Sequence, residues 1–400
     1  MNILFYTVSD VSPQKGGTER ITETLCQYFS EQNDIKCFLT YTNELAPNIQ
    51  PSNCFVKRLR ISENTNKCIL SHFINNNNIN IIVIQGSYTI ISLFRQSIQL
   101  SNKSVKLLFV HHFNPGAETL FNNYDRKRVS FKEAHSFPKK IRNLLSIIKL
   151  PYTIWYYNRF VRKYYKIAYK DADHVILLSK NFITDWKSFA KINDDSKFII
   201  IPNALSFSSF FLPKDLPKKK KNVLLVARFS ENQKRIKLAL KIWKEVHKYR
   251  DVEDWNFIIV GDGIYKNEYL NMVRKENIPN VYFEGLQKDT EKYYRQSSIF
   301  MMTSAFEGWG LTLTEAQQMG CVPIAFKSYK SLTDIITDNY NGIIIEECNI
   351  DKYIHYLHKM MINDKYRESM AINSIESAKR FSKTRIGNMW INEFKKWNNN

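Results

Sequence analysis

Short apolar runs of strand length alternate along this chain with stretches whose apolar residues recur at helical spacing, the pattern of a parallel sheet with helices on both faces. NILFYTV, KCFLTY, NIIVIQG, KLLFVHH, HVILLS and FIIIPN fill the first half. VLLVARF, FIIVGDG, VYFEG, SIFMMTS, VPIAF and GIII fill the second. Between the sets, residues 207–222 read FSSFFLPKDLPKKKKN, where two prolines and four consecutive lysines interrupt any regular period. The pattern predicts two α/β domains, 1–206 and 223–379, with a linker at 207–222. Beyond Ile350 it predicts consecutive helices, the last of which, 380–400, is a candidate to pack back on the first domain.

Composition narrows the class. Of the 400 residues 44% are apolar and 24% charged, enough to bury a sizeable core and too apolar for a disordered chain. A formal net charge of +20 favours anionic partners such as phosphates, lipid headgroups or nucleic acid. Cys26, Cys37, Cys54, Cys68, Cys321 and Cys348 show neither a C-x-x-C pair nor metal-ligand spacing, which fits a reducing compartment. The opening MNILFYTVSD reads as a first strand rather than a secretory signal. No run approaches the roughly 20 apolar residues that span a bilayer. The expected location is cytoplasmic, free or peripheral on the inner face of the cytoplasmic membrane.

Three places carry candidate chemistry. Gly16 and Gly17 follow the first strand and precede a helix, whose opening amides can receive an anion; an ordinary turn is the competing reading. In VLLVARFSENQK, Arg228 stands at a strand end and Lys234 six residues on, where the next helix is expected to begin. A planar guanidinium and a mobile ammonium at the carboxyl edge of a sheet suit a diphosphate, although surface cations are often merely solvated. In SIFMMTSAFEGWGLTLTEAQQMG, a loop holds Glu307, Gly308 and Gly310, and the following helix carries Glu315 about two turns beyond Glu307. One carboxylate can meet a ligand while the other faces it from the helix; a simple helix cap is the alternative.

The R-x5-K in ARFSENQK, the E-x7-E in EGWGLTLTEA, the early GG loop, IPNA and VGDG, in this order, resemble glycosyltransferase family 4, the retaining enzymes of GT-B fold. The resemblance covers most of the chain and is more specific in the second half. It implies two Rossmann-like domains whose parallel sheets face each other across a cleft, and transfer of a sugar from UDP-sugar or GDP-mannose to a glycan or lipid-linked acceptor in surface polysaccharide biosynthesis. Arg228 and Lys234 would hold the donor diphosphate, Glu307 the transferred sugar and Glu315 the ribose, with Gly308, Gly310 and Leu311 in the donor loop. Gly16 and Gly17 would approach the donor from the first domain. A histidine at the end of KLLFVHH would line the sugar pocket, and of His111 and His112 the FNP that follows favours His112. Neighbouring strand residues face opposite ways, so one of the two is expected to be packed or capping. A GT-B epimerase or phosphorylase, or a non-catalytic nucleotide-sugar or nucleic-acid binder, is the alternative.

Asp171-Ala-Asp173 has the D-x-D form that holds a divalent metal in the other major glycosyltransferase fold, but it precedes a strand and reads better as a helix-ending turn. Neither a metal nor another cofactor is expected. Residues 139–170 hold nine Lys or Arg, eight aromatics and no acid. An anionic membrane surface, single-stranded nucleic acid and a solvated face over a packed core all suit that bias. With no recognisable binding module, nucleic acid is not expected.

Overall fold

The computed structural model describes residues 1–12, 17–32, 34–62, 65–121 and 136–398. It divides into two units: Met1–Gly116 with Arg159–Ser206 and Phe381–Asn400, and Ala117–Asn158 with Phe207–Arg380.

Among the described residues, the first unit's sheet comprises β1 (Asn2–Ser9), β2 (Lys36–Asn43), β3 (Lys57–Arg60), β4 (Ile81–Gln85), β5 (Lys106–His111), β6 (His174–Leu177) and β7 (Phe198–Ile200). All are parallel, in the order β3-β2-β1-β4-β5-β6-β7. The second unit's sheet comprises β8 (Lys220–Val226), β9 (Asn256–Val260), β10 (Val281–Gly285), β11 (Ser297–Met302), β12 (Val322–Phe326) and β13 (Ile343–Ile345), likewise parallel in the order β10-β9-β8-β11-β12-β13. Each order reverses direction once, at β1/β4 and at β8/β11, where open α/β sheets bind ligands beyond the strands' carboxyl ends. Strands covered on both faces need continuous apolar runs, and β4, β11 and β12 are buried along their whole length.

Each expected run contains a strand; β3 is additional. Its sequence, KRLR, has one apolar residue and pairs only with β2, so its cations mark an outer edge protected from further pairing.

The closing helix Lys383–Asn398 belongs to the first unit and lies on the helix Thr18–Ser30. The Tyr28 hydroxyl donates to Asn388 Oδ1 at 2.6 Å, and the Phe29 and Phe394 rings are 5.5 Å apart. Gly387 permits this approach, since a Cβ there would fall 2.1 Å from the Tyr28 ring.

The stretch 207–222, expected as a linker, packs on the second unit. Phe211 and Leu216 enter that unit's core, and Pro213–Lys218 forms 3₁₀ turns. Of the four lysines, Lys219 turns inward: its ammonium donates to the carbonyls of Tyr294 (2.8 Å), Arg295 (3.1 Å) and Ser297 (2.8 Å). It thereby caps the helix Glu291–Gln296, where a cation satisfies exposed carbonyls and opposes the helix dipole. Burial pushes the Lys219 pKa down. No helix among the described residues is long and apolar enough to cross a membrane.

Candidate functional site

At the β8/β11 reversal, two loops leave neighbouring strands. The first, 227–230, carries Arg228 and is bound to β9 by Ala227 N–H donating to Val260 O (3.0 Å) and to the next loop by Phe229 N–H donating to Asp262 O (2.8 Å). Gly261 and Gly263 allow that closeness. A Cβ at Gly261 would sit 1.8 Å from Ala227 O, and one at Gly263 would sit 2.5 Å from Phe229 O. Arg228 is exposed, and among the described residues its guanidinium has no side-chain partner.

One turn of helix, Glu231–Lys234, follows. Arg235 then takes a left-handed φ of 49° before the helix Ile236–Val246, so Lys234 closes a short turn rather than opening the longer helix. That break turns Lys234 toward the second loop. Beyond β11, Thr303 Oγ1 donates to Lys234 O (2.8 Å) and Arg235 O (3.1 Å), and Ala305 N–H donates to Gln233 O (2.7 Å). These bonds bring the Lys234 ammonium onto Glu307 Oε1 as an ion pair, with the two side chains 15% and 9% exposed. The Gln233 amide nitrogen lies 3.5 Å from Glu307 Oε2. Behind Glu307, Tyr329 is buried with its hydroxyl 3.2 Å from Met302 Sδ. Burial, and then the Glu307 charge, push the Tyr329 pKa well up, so the phenol stays protonated.

The loop ends where Ser331 Oγ donates to Gly308 O (3.0 Å) and Gly310 adopts a φ of 89°. Its left-handed turn starts the helix Leu311–Gln318, and Gly310 O accepts from Leu313 N–H at 2.9 Å. Leu311, the first helical residue, is half-buried. Glu315, on the inner side of that helix, is buried, with Oε2 accepting from Tyr294 Oη at 3.2 Å. Glu307 and Glu315 thus differ: one carboxylate meets an ammonium at the loop, and the other is held inside by a phenol.

In the first unit, Gly17 has a φ of 67° and precedes the helix Thr18–Ser30; Gly16 lies outside the described residues. His111 ends β5 fully buried, with Nε2 2.9 Å from Tyr165 Oη and its ring 4.7 Å from Trp186. His112 follows, half-buried, with Nε2 2.6 Å from Gln85 Oε1. Burial pushes the His112 pKa down to about 3, and neighbouring His111 acts in the same direction. The imidazole is therefore neutral at neutral pH. With Nε2–H donating to the Gln85 carbonyl, Nδ1 is the acceptor.

Asp171 ends the helix Leu150–Asp171 and accepts from Ser92 Oγ (2.7 Å), while Asp173 accepts from Leu107 N–H (2.7 Å) and pairs with Arg95 (2.9 Å). Both carboxylates are engaged in holding the first unit together. Among the described residues no three His, Cys, Asp or Glu side chains are grouped to hold a metal ion.

Sequence reasoning passed over Gln233, Thr303, Gly261, Gly263 and Tyr329. Gln233 sits beside Lys234 in the same motif, and the two glycines lie in the VGDG segment. Thr303 and Tyr329 carry no local signal, because their roles depend on which strands are neighbours.

Residues 209–377, within the second unit, match the family model described as Glycosyl transferases group 1. The chain is 27% identical over 245 residues to the amylovoran biosynthesis glycosyltransferase AmsD of Erwinia amylovora, covering 60% of this chain and 64% of that protein. It is 24% identical over 280 residues to N-acetylgalactosamine-N,N'-diacetylbacillosaminyl-diphospho-undecaprenol 4-alpha-N-acetylgalactosaminyltransferase of Campylobacter jejuni, covering 68% of this chain and 75% of that one. The match spans 57% of an uncharacterized glycosyltransferase of Haemophilus influenzae, so this chain aligns with less than two thirds of two of these curated relatives. Among solved structures, Anabaena HepE in complex with UDP-glucose superposes with a TM-score of 0.70 at 13% identity, covering 99% of this chain and 100% of that one. The lipopolysaccharide outer core galactosyltransferase WaaB gives 0.67 at 16% identity, with 99% and 100% covered. The two parallel-sheet α/β units are those of the GT-B fold.

Proposed function

We propose that this protein transfers a sugar from a nucleoside-diphosphate sugar, a UDP-sugar or GDP-mannose, to a glycan or lipid-linked acceptor in surface polysaccharide synthesis, as a retaining enzyme of glycosyltransferase family 4. The observation that carries this reading is the meeting of Lys234 and Glu307 at the β8/β11 reversal, with exposed Arg228 on the adjoining loop. A cation pair beside a carboxylate suits a diphosphate joined to a sugar. The UDP-glucose held by HepE and the amylovoran biosynthesis served by AmsD support the same donor class and setting.

Breaking the bond between the anomeric carbon and the diphosphate oxygen leaves positive charge on the carbon and sends the electron pair to the diphosphate. Arg228 and Lys234 would stabilise the departing diphosphate, and preorganised donors of this kind each contribute on the order of 3 kcal/mol. Donor binding would draw the Lys234 ammonium onto phosphate, releasing Glu307 to accept from a sugar hydroxyl. Gly308, Gly310 and Leu311 would present the start of their helix to the donor, and Glu315, oriented by Tyr294, would serve the ribose. In the first unit, His112 Nδ1 is the imidazole atom left to accept a hydrogen bond.

The acceptor hydroxyl attacks from the face the diphosphate leaves, and its proton passes to the departing phosphate oxygen, so no protein nucleophile is needed and Glu307 is not one. The alpha linkage in the name of the Campylobacter relative suits retention from an alpha-linked donor. We assign no divalent metal to the step.

The test is incubation with a panel of nucleotide sugars and lipid-linked or glycan acceptors, read by mass spectrometry. The expected result is an acceptor heavier by one sugar with release of one nucleoside diphosphate. A donor altered without any acceptor would instead indicate an epimerase, and binding without turnover a non-catalytic protein.

A further inference from the structure

The helix Phe137–Ile148 exposes an apolar face. A surface helix of a globular protein normally buries its apolar stripe and shows water its polar face. Here Ile141, Leu144, Leu145 and Ile148, at the i, i+3, i+4, i+7 positions of one face, are 44–67% exposed, whereas Asn143, Ser146 and Ile147 are the less exposed positions. The next helix, Leu150–Asp171, continues the exposed apolar series with Tyr152, Trp155 and Tyr156, each more than half exposed. The Tyr152 ring lies 5.9 Å from Trp155 and 6.3 Å from Tyr156, making one aromatic cluster.

Charge says what covers this face. Lys140 and Arg142 lie about 100° to either side of Ile141 around the helix, and Lys149 follows on the Arg142 side. All three are exposed, and none pairs with a carboxylate among the described residues. From 139 to 170 the sequence has nine Lys or Arg and no acid. A second copy of this chain would set these cations against the same cations. A bilayer bearing anionic headgroups meets both features at once: the aliphatic stripe enters the acyl boundary, Tyr and Trp sit at headgroup level, and flanking cations reach lipid phosphate.

We propose that residues 140–156 form an in-plane docking surface for a membrane rich in anionic lipid, independent of the sugar-transfer reading because its readout is binding rather than turnover.

Co-sedimentation of the full chain with vesicles of equal parts phosphatidylglycerol and phosphatidylcholine, and with phosphatidylcholine alone, tests this. The wild type should pellet with the mixed vesicles and far less with phosphatidylcholine alone. Leu145→Asp/Ile148→Asp should weaken binding at least about tenfold while leaving circular dichroism unchanged. Lys140→Gln/Arg142→Gln should weaken it by about fivefold per cation and reduce its salt dependence. The inference is overturned if the wild type stays in the supernatant, binds both vesicle types equally, or pellets no better than these variants. It is equally overturned if the apolar substitutions dissolve a dimer or an acidic-protein complex and leave vesicle binding untouched.

Discussion

Lys234 and Glu307, 73 residues apart in sequence, meet as a largely buried ion pair. Removing either partner leaves a poorly solvated charge behind, so Lys234→Ala should cost about 3–5 kcal/mol of stability as well as activity. Glu307→Gln should retain the local packing. The double variant should regain part of the lost melting temperature while transfer stays at least about a hundredfold down. Calorimetry and initial rates on the three variants check this; a double variant with restored transfer would remove the pair from the mechanism.

Arg228 has nothing to lose in the folded state. Arg228→Ala should leave stability within about 0.5 kcal/mol of wild type. Its affinity for UDP or GDP should nevertheless fall about ten- to a hundredfold, the loss of a charge-assisted contact.

Gly261→Ala should behave oppositely. Its new methyl would strike the Ala227 carbonyl, displacing the loop that carries Arg228, so melting temperature and nucleotide affinity should fall together. Loss of stability with undiminished affinity would separate the loop's position from donor binding.

His112 makes stability depend on pH. Its folded pKa of about 3 lies below the ordinary histidine value of roughly 6.5, so between these the unfolded chain binds more protons. The neutral form's contribution is full above about pH 6.5 and is lost as pH falls toward the folded value, at up to about 1.4 kcal/mol per pH unit. His112→Gln should flatten that fall in denaturant titrations at descending pH. An unchanged slope would place His112 in a better-solvated setting than the structure gives it.

Transfer in excess EDTA should stay within about twofold of the untreated rate. A loss restored by magnesium or manganese would contradict the metal-free step.

The α/β class was legible because buried parallel strands must be apolar throughout, and runs such as NIIVIQG and SIFMMTS admit little else. The strand β3 was not, since its cations at an outer edge look like any polar segment. Nor does the run Lys218–Lys221 reveal that Lys219 alone turns inward, because its partners are carbonyls near residue 295, contributed by a distant strand and helix. The burial of His111 follows from its packing on Tyr165 and Trp186, which no local pattern places beside it. Motif spacing put Lys234 and Glu307 at sheet edges, but their contact follows from β8 and β11 being neighbours, a property of strand order that no local pattern carries.

The most direct test is calorimetric titration of UDP and GDP into the wild type and into Arg228→Ala, which removes one of the two proposed diphosphate-binding cations and leaves the Lys234–Glu307 pair in place. Saturable binding of one of the two nucleotides at a single site is expected in the wild type, with an affinity about ten- to a hundredfold lower in the folded variant. Undiminished binding in that variant, or no binding of either nucleotide to the wild type, would contradict the proposed diphosphate site.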